Sequence, residues 1–173
     1  MPRPSVTEYV PFQKKYIDQT ANYDDAKLCI AESLGPLQSF LQSVPKEKYD
    51  FAYAEGKWTL RQMLQHIIDT ERILSFRALC IARGETQSLP GFEEDDYAAN
   101  SHSLTRNWDE MTEELLWLRK STILMVQSFS DEDFKKIGTA NGNPSGCNAL
   151  CFIIVGHVLH HEQIVKERYL ISH

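Results

Sequence analysis

Apolar residues recur every three to four positions through most of this chain, the spacing that lines up one face of an α-helix. Leu28, Ala31, Leu34, Leu37 and Leu41 predict a first long helix from about Asp24 to Leu41, with Gly35-Pro36 placed to kink it. A short helix around Phe12 to Ile17 precedes it. The second helix has the clearest start, because Thr59-Leu60-Arg61-Gln62 is a capping box. Its apolar stripe runs from Leu60 through Leu64, Ile67, Ile68, Leu74, Leu79 and Ile81 to Arg83, where Gly84 supplies the stop. Trp108, Met111, Leu115, Leu118, Met125 and Phe129 predict a third helix over about 105 to 129. A fourth begins near Ser145 and continues through Ile153, Ile154, Ile164 and Leu170. No stretch alternates apolar and polar residues as a strand does, and Asn141-Gly142 is expected in a polar loop. Four long helices with one core stripe each predict an all-α fold, a four-helix bundle, as a single domain over residues 1–173.

Two connections are long. Residues 84 to 104 form a loop between the second and third helices that exceeds the usual span in a compact domain, and such loops tend to carry function. It contains Leu89-Pro90-Gly91-Phe92-Glu93-Glu94. Residues 42 to 58 carry Tyr49, Phe51, Tyr53 and Trp58, aromatics that either line a mouth or cap the bundle.

Composition narrows the class. The 173 residues are 42% hydrophobic and 24% charged, values of an ordinary globular protein. A net charge of −6 with no basic block argues against a nucleic-acid partner. No run of eighteen apolar residues appears and no signal core follows Met1-Pro2-Arg3-Pro4, so neither membrane insertion nor secretion is expected. Cys29, Cys80, Cys147 and Cys151 fall within helical patterns and read as small core residues in a reduced compartment, which places the protein in the cytoplasm.

The chemistry-bearing residues are histidines. His157 and His161 are four apart, one above the other on a helix and on the stripe facing the bundle interior. His160 turns about 100° away from His161 and is expected outside the site. On the second helix, Thr59, Gln62, His66, Thr70, Ile73 and Arg77 share a face, an unusual run of polar groups on a helix that must bury a core. Three interior imidazoles on two helices either hold one transition metal with a position open for substrate, or are separate hydrogen-bonded core residues. The zinc-protease motif, the phosphate loop, the dinucleotide glycines and the Glu-x-x-His pairs of di-iron bundles are all absent.

Lys57-Trp58-Thr59-Leu60-Arg61-Gln62 with His66 and Asp69, the run Arg77 to Gly84 followed by Leu89-Pro90-Gly91-Phe92-Glu93-Glu94, and Gly156-His157-Val158-Leu159-His160-His161 together resemble the DinB-like (DinB/YfiT-like) metalloenzyme superfamily. The resemblance spans about residues 20 to 171. It implies an up-down-down-up bundle and a divalent metal, nickel or zinc, held by His66, His157 and His161. It also implies chemistry with a low-molecular-weight thiol, since the better-known relatives are thiol-dependent transferases and isomerases.

The expected protein is therefore a metal-dependent thiol transferase or hydrolase acting on a small molecule, with a homodimer left open. The metal would lower the pKa of a bound thiol or water. Asp69, one turn from His66, and the loop acids Glu93 and Glu94 are the candidates for orienting ligands or moving protons, against a reading as ordinary solvated carboxylates. The rival is a non-catalytic bundle that binds a metal or small ligand in a stress response.

Overall fold

The computed structural model describes residues 2–171, so the ends of the domain expected over 1–173 lie outside the described residues. Helix α1 (Lys14–Gln19) follows a short 3-10 turn, and α2 (Ala26–Glu32) and α3 (Leu34–Ser43) together make the first long rod. The second rod is α4 (Leu60–Ala82). Helix α5 (Glu94–Asn100) lies in the connection to α6 (Trp108–Gln127). After the single turn α7 (Asp131–Phe134), the strands β1 (Ile137–Ala140) and β2 (Asn143–Gly146) lead into α8 (Cys147–Ile164), which ends in a wider π turn over Val165–Tyr169.

Side-chain pairings set the directions of the four rods. Lys27 meets Gln127 and Ser33 meets Arg119, so the α2–α3 rod runs antiparallel to α6. Arg106 meets Gln65, and Arg83 lies over the Phe129 ring, so α4 and α6 run the same way. Cys147 lies against the Ala78 carbonyl while His157 lies against His66, so α8 opposes α4. The order is up-down-down-up, as the resemblance implies.

The helix starts follow the local chemistry. At α4 the Thr59 hydroxyl accepts from the Gln62 amide at 3.2 Å, and the Gln62 side chain accepts from the Thr59 amide at 2.9 Å. This is the reciprocal cap expected from the sequence. Asn107 caps α6 with its side chain alone, accepting from the Asp109 and Glu110 amides.

Four expectations are corrected. The first rod is not one helix kinked at Gly35-Pro36. It breaks at Ser33, whose hydroxyl donates to the Ile30 carbonyl at 2.7 Å and accepts from Arg119. A side chain that takes up the backbone in this way competes with helix continuation. Asn141-Gly142 does not sit in a plain loop: both residues have positive φ, 51° and 70°, and turn a two-residue hairpin between β1 and β2. Strands of four residues are too short for alternation to show in the sequence. The 84–104 connection is not structureless, since α5 forms with Glu94, Asp95 and Asp96 in its first turn, where the helix dipole favours acids. Finally, α8 does not carry one stripe. Every residue from Cys147 to Val158 is buried, because α1 packs on the face that the other rods leave uncovered.

Gly156 is what lets α1 approach. A Cβ there would lie 1.9 Å from the Tyr16 carbonyl oxygen, so only glycine permits this crossing.

Between two apolar clusters, at the level of Glu71, sits a buried polar knot. The Arg119 guanidinium grips Glu71 through two hydrogen bonds of 2.8 Å, Nε to Oε1 and Nη2 to Oε2. Its Nη1 donates to the Ser33 hydroxyl at 2.6 Å, and Thr122 donates to Oε1 at 3.2 Å. Nη2 also faces the Ile154 carbonyl at 3.5 Å, so all four rods meet at this pair. Removing one partner strands a buried charge, whereas replacing both with apolar groups need not. Glu71→Ala is therefore expected to destabilise the protein by about 3–5 kcal/mol in urea denaturation, and Glu71→Leu with Arg119→Met to lose much less.

Candidate metal centre

His66 stands in the second turn of α4, and His157 and His161 in the second half of α8, where the antiparallel packing of the two helices brings them together. Four-residue spacing stacks the α8 pair on one side of that helix, with ring centroids 4.5 Å apart. His157 Nε2 lies 3.0 Å from His66 Nε2 and 3.1 Å from His161 Nε2. The ligand atoms of all three fall within 4.8 Å of one another.

Hydrogen bonding between the rings does not account for this arrangement. A neutral imidazole nitrogen offers either one proton or one in-plane lone pair, so His157 Nε2 can pair with one neighbour and not with both. A single cation in front of the three nitrogens satisfies all of them. Two of the three nitrogen pairs, at 3.0 and 3.1 Å, are spaced as ligands of one transition-metal ion would be. His161 Nδ1 is sealed from solvent with no hydrogen-bond partner, so the ring meets a polar neighbour only through Nε2, at the cluster.

Burial keeps the rings neutral, the form a metal needs. His66 is pushed down to about 4, chiefly by burial and against the opposing charge of Asp95. His161 is pushed down to about 3 by burial and by the neighbouring His66. His157, fully enclosed, is lowered by burial first and then by His161 and His66. Aromatic rings fix the cluster from outside: Trp58 lies 4.9 Å from His66, and Tyr16 packs edge-on to His157 at 5.3 Å.

Beside His161 opens a cleft of about 300 Å³ lined by Tyr53, Lys57, Trp58, Asp95 and Tyr169. The aromatics of 42–58 serve both roles weighed from the sequence. Tyr53 and Trp58 line this mouth, while Tyr49 stacks on Trp108 at 4.0 Å. Tyr169, from the π turn, donates its hydroxyl to the Trp58 carbonyl at 2.7 Å and fixes the wall.

The expected site residues separate. His160 is half-buried against the Tyr16 and His161 rings, outside the nitrogen cluster. Asp69 turns toward α6, where its carboxylate accepts from Gln65 at 2.9 Å within a group that includes Arg106, Arg72 and Glu114. Burial raises its pKa. Glu93 is the exposed residue at the start of α5. Glu94 is exposed too, with its charge felt at Tyr16. The acid that shares the cleft with His161 is Asp95, which sequence reasoning missed. Its signal was available only through α5, because one residue of helical rotation decides which of the four consecutive acids Glu93 to Asp96 borders the cleft.

A model of the DinB superfamily matches residues 32–165. A comparison with curated protein sequences returns no match. Among solved structures, the chain is similar to YfiT from Bacillus subtilis, with a TM-score of 0.72 and 18% identity over 95% of this chain and 89% of that one. That protein is described as a probable metal-dependent hydrolase with an unusual four-helix bundle topology. Among the described residues, no helix is long and apolar enough to cross a membrane.

The depressed histidines tie stability to pH. An unfolded imidazole binds a proton near pH 6.5, while the folded ones stay neutral to about 4 and about 3. Below pH 6.5 the unfolded chain thus holds more protons, and stability falls with pH by up to about 1.4 kcal/mol per unit for each ring. The melting temperature of metal-free protein should drop between pH 7 and pH 5, and the slope should flatten in His66→Phe. Equal slopes for the two proteins would show that His66 does not stay neutral on folding.

Proposed function

The chain belongs to the DinB superfamily, and we propose that it works there as a metal-dependent hydrolase of small molecules, with the metal held by His66, His157 and His161. The observation that carries this reading is the convergence of three buried Nε2 atoms at 3.0 and 3.1 Å beside an open cleft that holds one carboxylate. Three imidazoles suit zinc or nickel and leave coordination positions free. When bound, such an ion supplies Lewis acidity, bringing the pKa of a coordinated water or thiol toward neutrality.

The chain's own residues do the rest. Asp95 is exposed in the wall of the cleft, where its carboxylate can accept a proton. Trp58 and Tyr16 hold the His66 and His157 rings in orientation. Tyr53, Trp58, Ile164 and Tyr169 offer an apolar wall for the body of a substrate.

A second reading is transfer of a low-molecular-weight thiol to an electrophile, as the better-known relatives do. It draws support from Lys57 in the cleft wall, a cation that suits the carboxylate of such a thiol. Asp95 favours hydrolysis, because a carboxylate in the cleft can take up a proton from water and return it to the leaving group.

Protein reconstituted with zinc or nickel is expected to hold about one ion per chain by elemental analysis. His157→Ala or His161→Ala should abolish binding, and His160→Ala should leave it intact. Ester and amide panels assayed beside glutathione and bacillithiol conjugation separate the two chemistries. Asp95→Asn should lower hydrolysis by about 10²-fold while the metal content stays unchanged. Conjugation activity alone would favour the thiol reading. Metal binding with no turnover in either panel would favour a non-catalytic bundle.

A further inference from the structure

Three turns along α4 from His66, about 16 Å away, Arg77 occupies a second cleft. The residue is 8% exposed, and none of the ion pairs among the described residues includes it. Among the described residues its side chain makes one hydrogen bond, from Nη2 to the Pro90 carbonyl at 2.6 Å. Nε is sealed from solvent without a partner. A buried guanidinium almost always finds a carboxylate, because an uncompensated charge out of water costs several kcal/mol. Here the other buried arginine, Arg119, has such a partner and Arg77 does not.

The surroundings indicate what could supply one. A cavity of about 220 Å³ opens over Arg77, walled by Phe76, Phe92, Tyr97, Ile73 and Leu89 and by Arg72, whose charge is already paired with Glu114. Phe92 already lies over the guanidinium at 5.9 Å, and Phe92 and Tyr97 meet edge to face at 5.2 Å. Phe76 is 54% exposed, a large apolar side chain at the rim. A cation at the base of an aromatic cleft matches a ligand with a planar apolar body and one anionic end.

Anchoring the loop does not by itself explain the arginine. Leu89 is held independently, its amide donating to Thr139 and its carbonyl accepting from Asn141, both at 2.9 Å. One hydrogen bond to Pro90 adds little to that and uses one of five N–H groups.

We propose that this cleft is a binding site for a small aromatic carboxylate, separate from the histidine cluster, with the carboxylate paired to Arg77 and the ring against Phe76, Phe92 and Tyr97.

Sodium benzoate titrated calorimetrically into metal-free protein tests it, with benzamide as the neutral isostere. Benzoate is expected to bind saturably at millimolar concentration or below, with benzamide and the Arg77→Gln variant each at least about tenfold weaker, a loss of about 1.4 kcal/mol. Ile73→Trp, which fills the cavity and leaves Arg77 in place, should abolish binding while helical circular dichroism is kept. His66→Ala should bind benzoate as well as the parent. If Arg77→Gln does not fold, Ile73→Trp decides, since retained affinity there overturns the proposal. It is also overturned if benzoate does not bind, if benzamide or Arg77→Gln matches the parent, or if binding appears only once metal is restored.

Discussion

Glu71 and Arg119 meet at a level where all four rods touch a common pair of side chains, and much of the architecture is arranged around them. A guanidinium enclosed to 1% exposure must have its N–H groups answered, and Glu71 and Ile154 answer them from two helices and Ser33 from the break between α2 and α3. The break between α2 and α3 falls at Ser33, the residue that reaches this knot. Apolar packing alone tolerates sliding of one helix past another, but a bidentate pair does not. The relative heights of α4 and α6 are thereby set, and the contact of Arg119 with the Ile154 carbonyl at 3.5 Å brings α8 to the same level.

The histidine cluster depends on that registration and on what covers α8. A helix apolar on nearly every face has to be surrounded, and α1 completes its coat by crossing at Gly156. The crossing places Tyr16 on His157, so the residue that makes the packing possible sits next to a residue of the cluster. The same enclosure pushes the three imidazoles toward neutrality, which is the state that can donate lone pairs to a cation. Packing and ligand chemistry thus have one cause in burial.

Helix α4 carries two unlike clefts on a single face. Near its start, neutral imidazoles gather beside an aromatic mouth with one acid. Near its end, Arg77, in none of the ion pairs among the described residues, lies under an aromatic and aliphatic cover. Helix α5 and the segment before it contribute to both, through Asp95 to the first and through Phe92 and Tyr97 to the second. The connection between α4 and α6 is therefore long because it shapes two surfaces, and its Leu89 is pinned to the hairpin so that the cover holds its place.

Helical periodicity, the Thr59 capping box and the four-residue histidine spacing were enough to read the number of rods, the start of α4 and the pairing of His157 with His161, because each depends on residues within one or two turns. The same helical rotation put His160 on another side, where the structure has it. Local patterns do not report contacts between distant segments. The Glu71–Arg119 knot, the break at Ser33, the all-round burial of α8 and the approach of Tyr16 at Gly156 arise from packing between segments far apart in sequence. Asp95 rather than Glu93 or Glu94 entered the histidine cleft because α5 has its own rotation, set by docking on α4. Arg77 read as one polar residue on a helix face, and only the tertiary structure showed it buried without a counter-ion, since burial is a property of what folds over a residue.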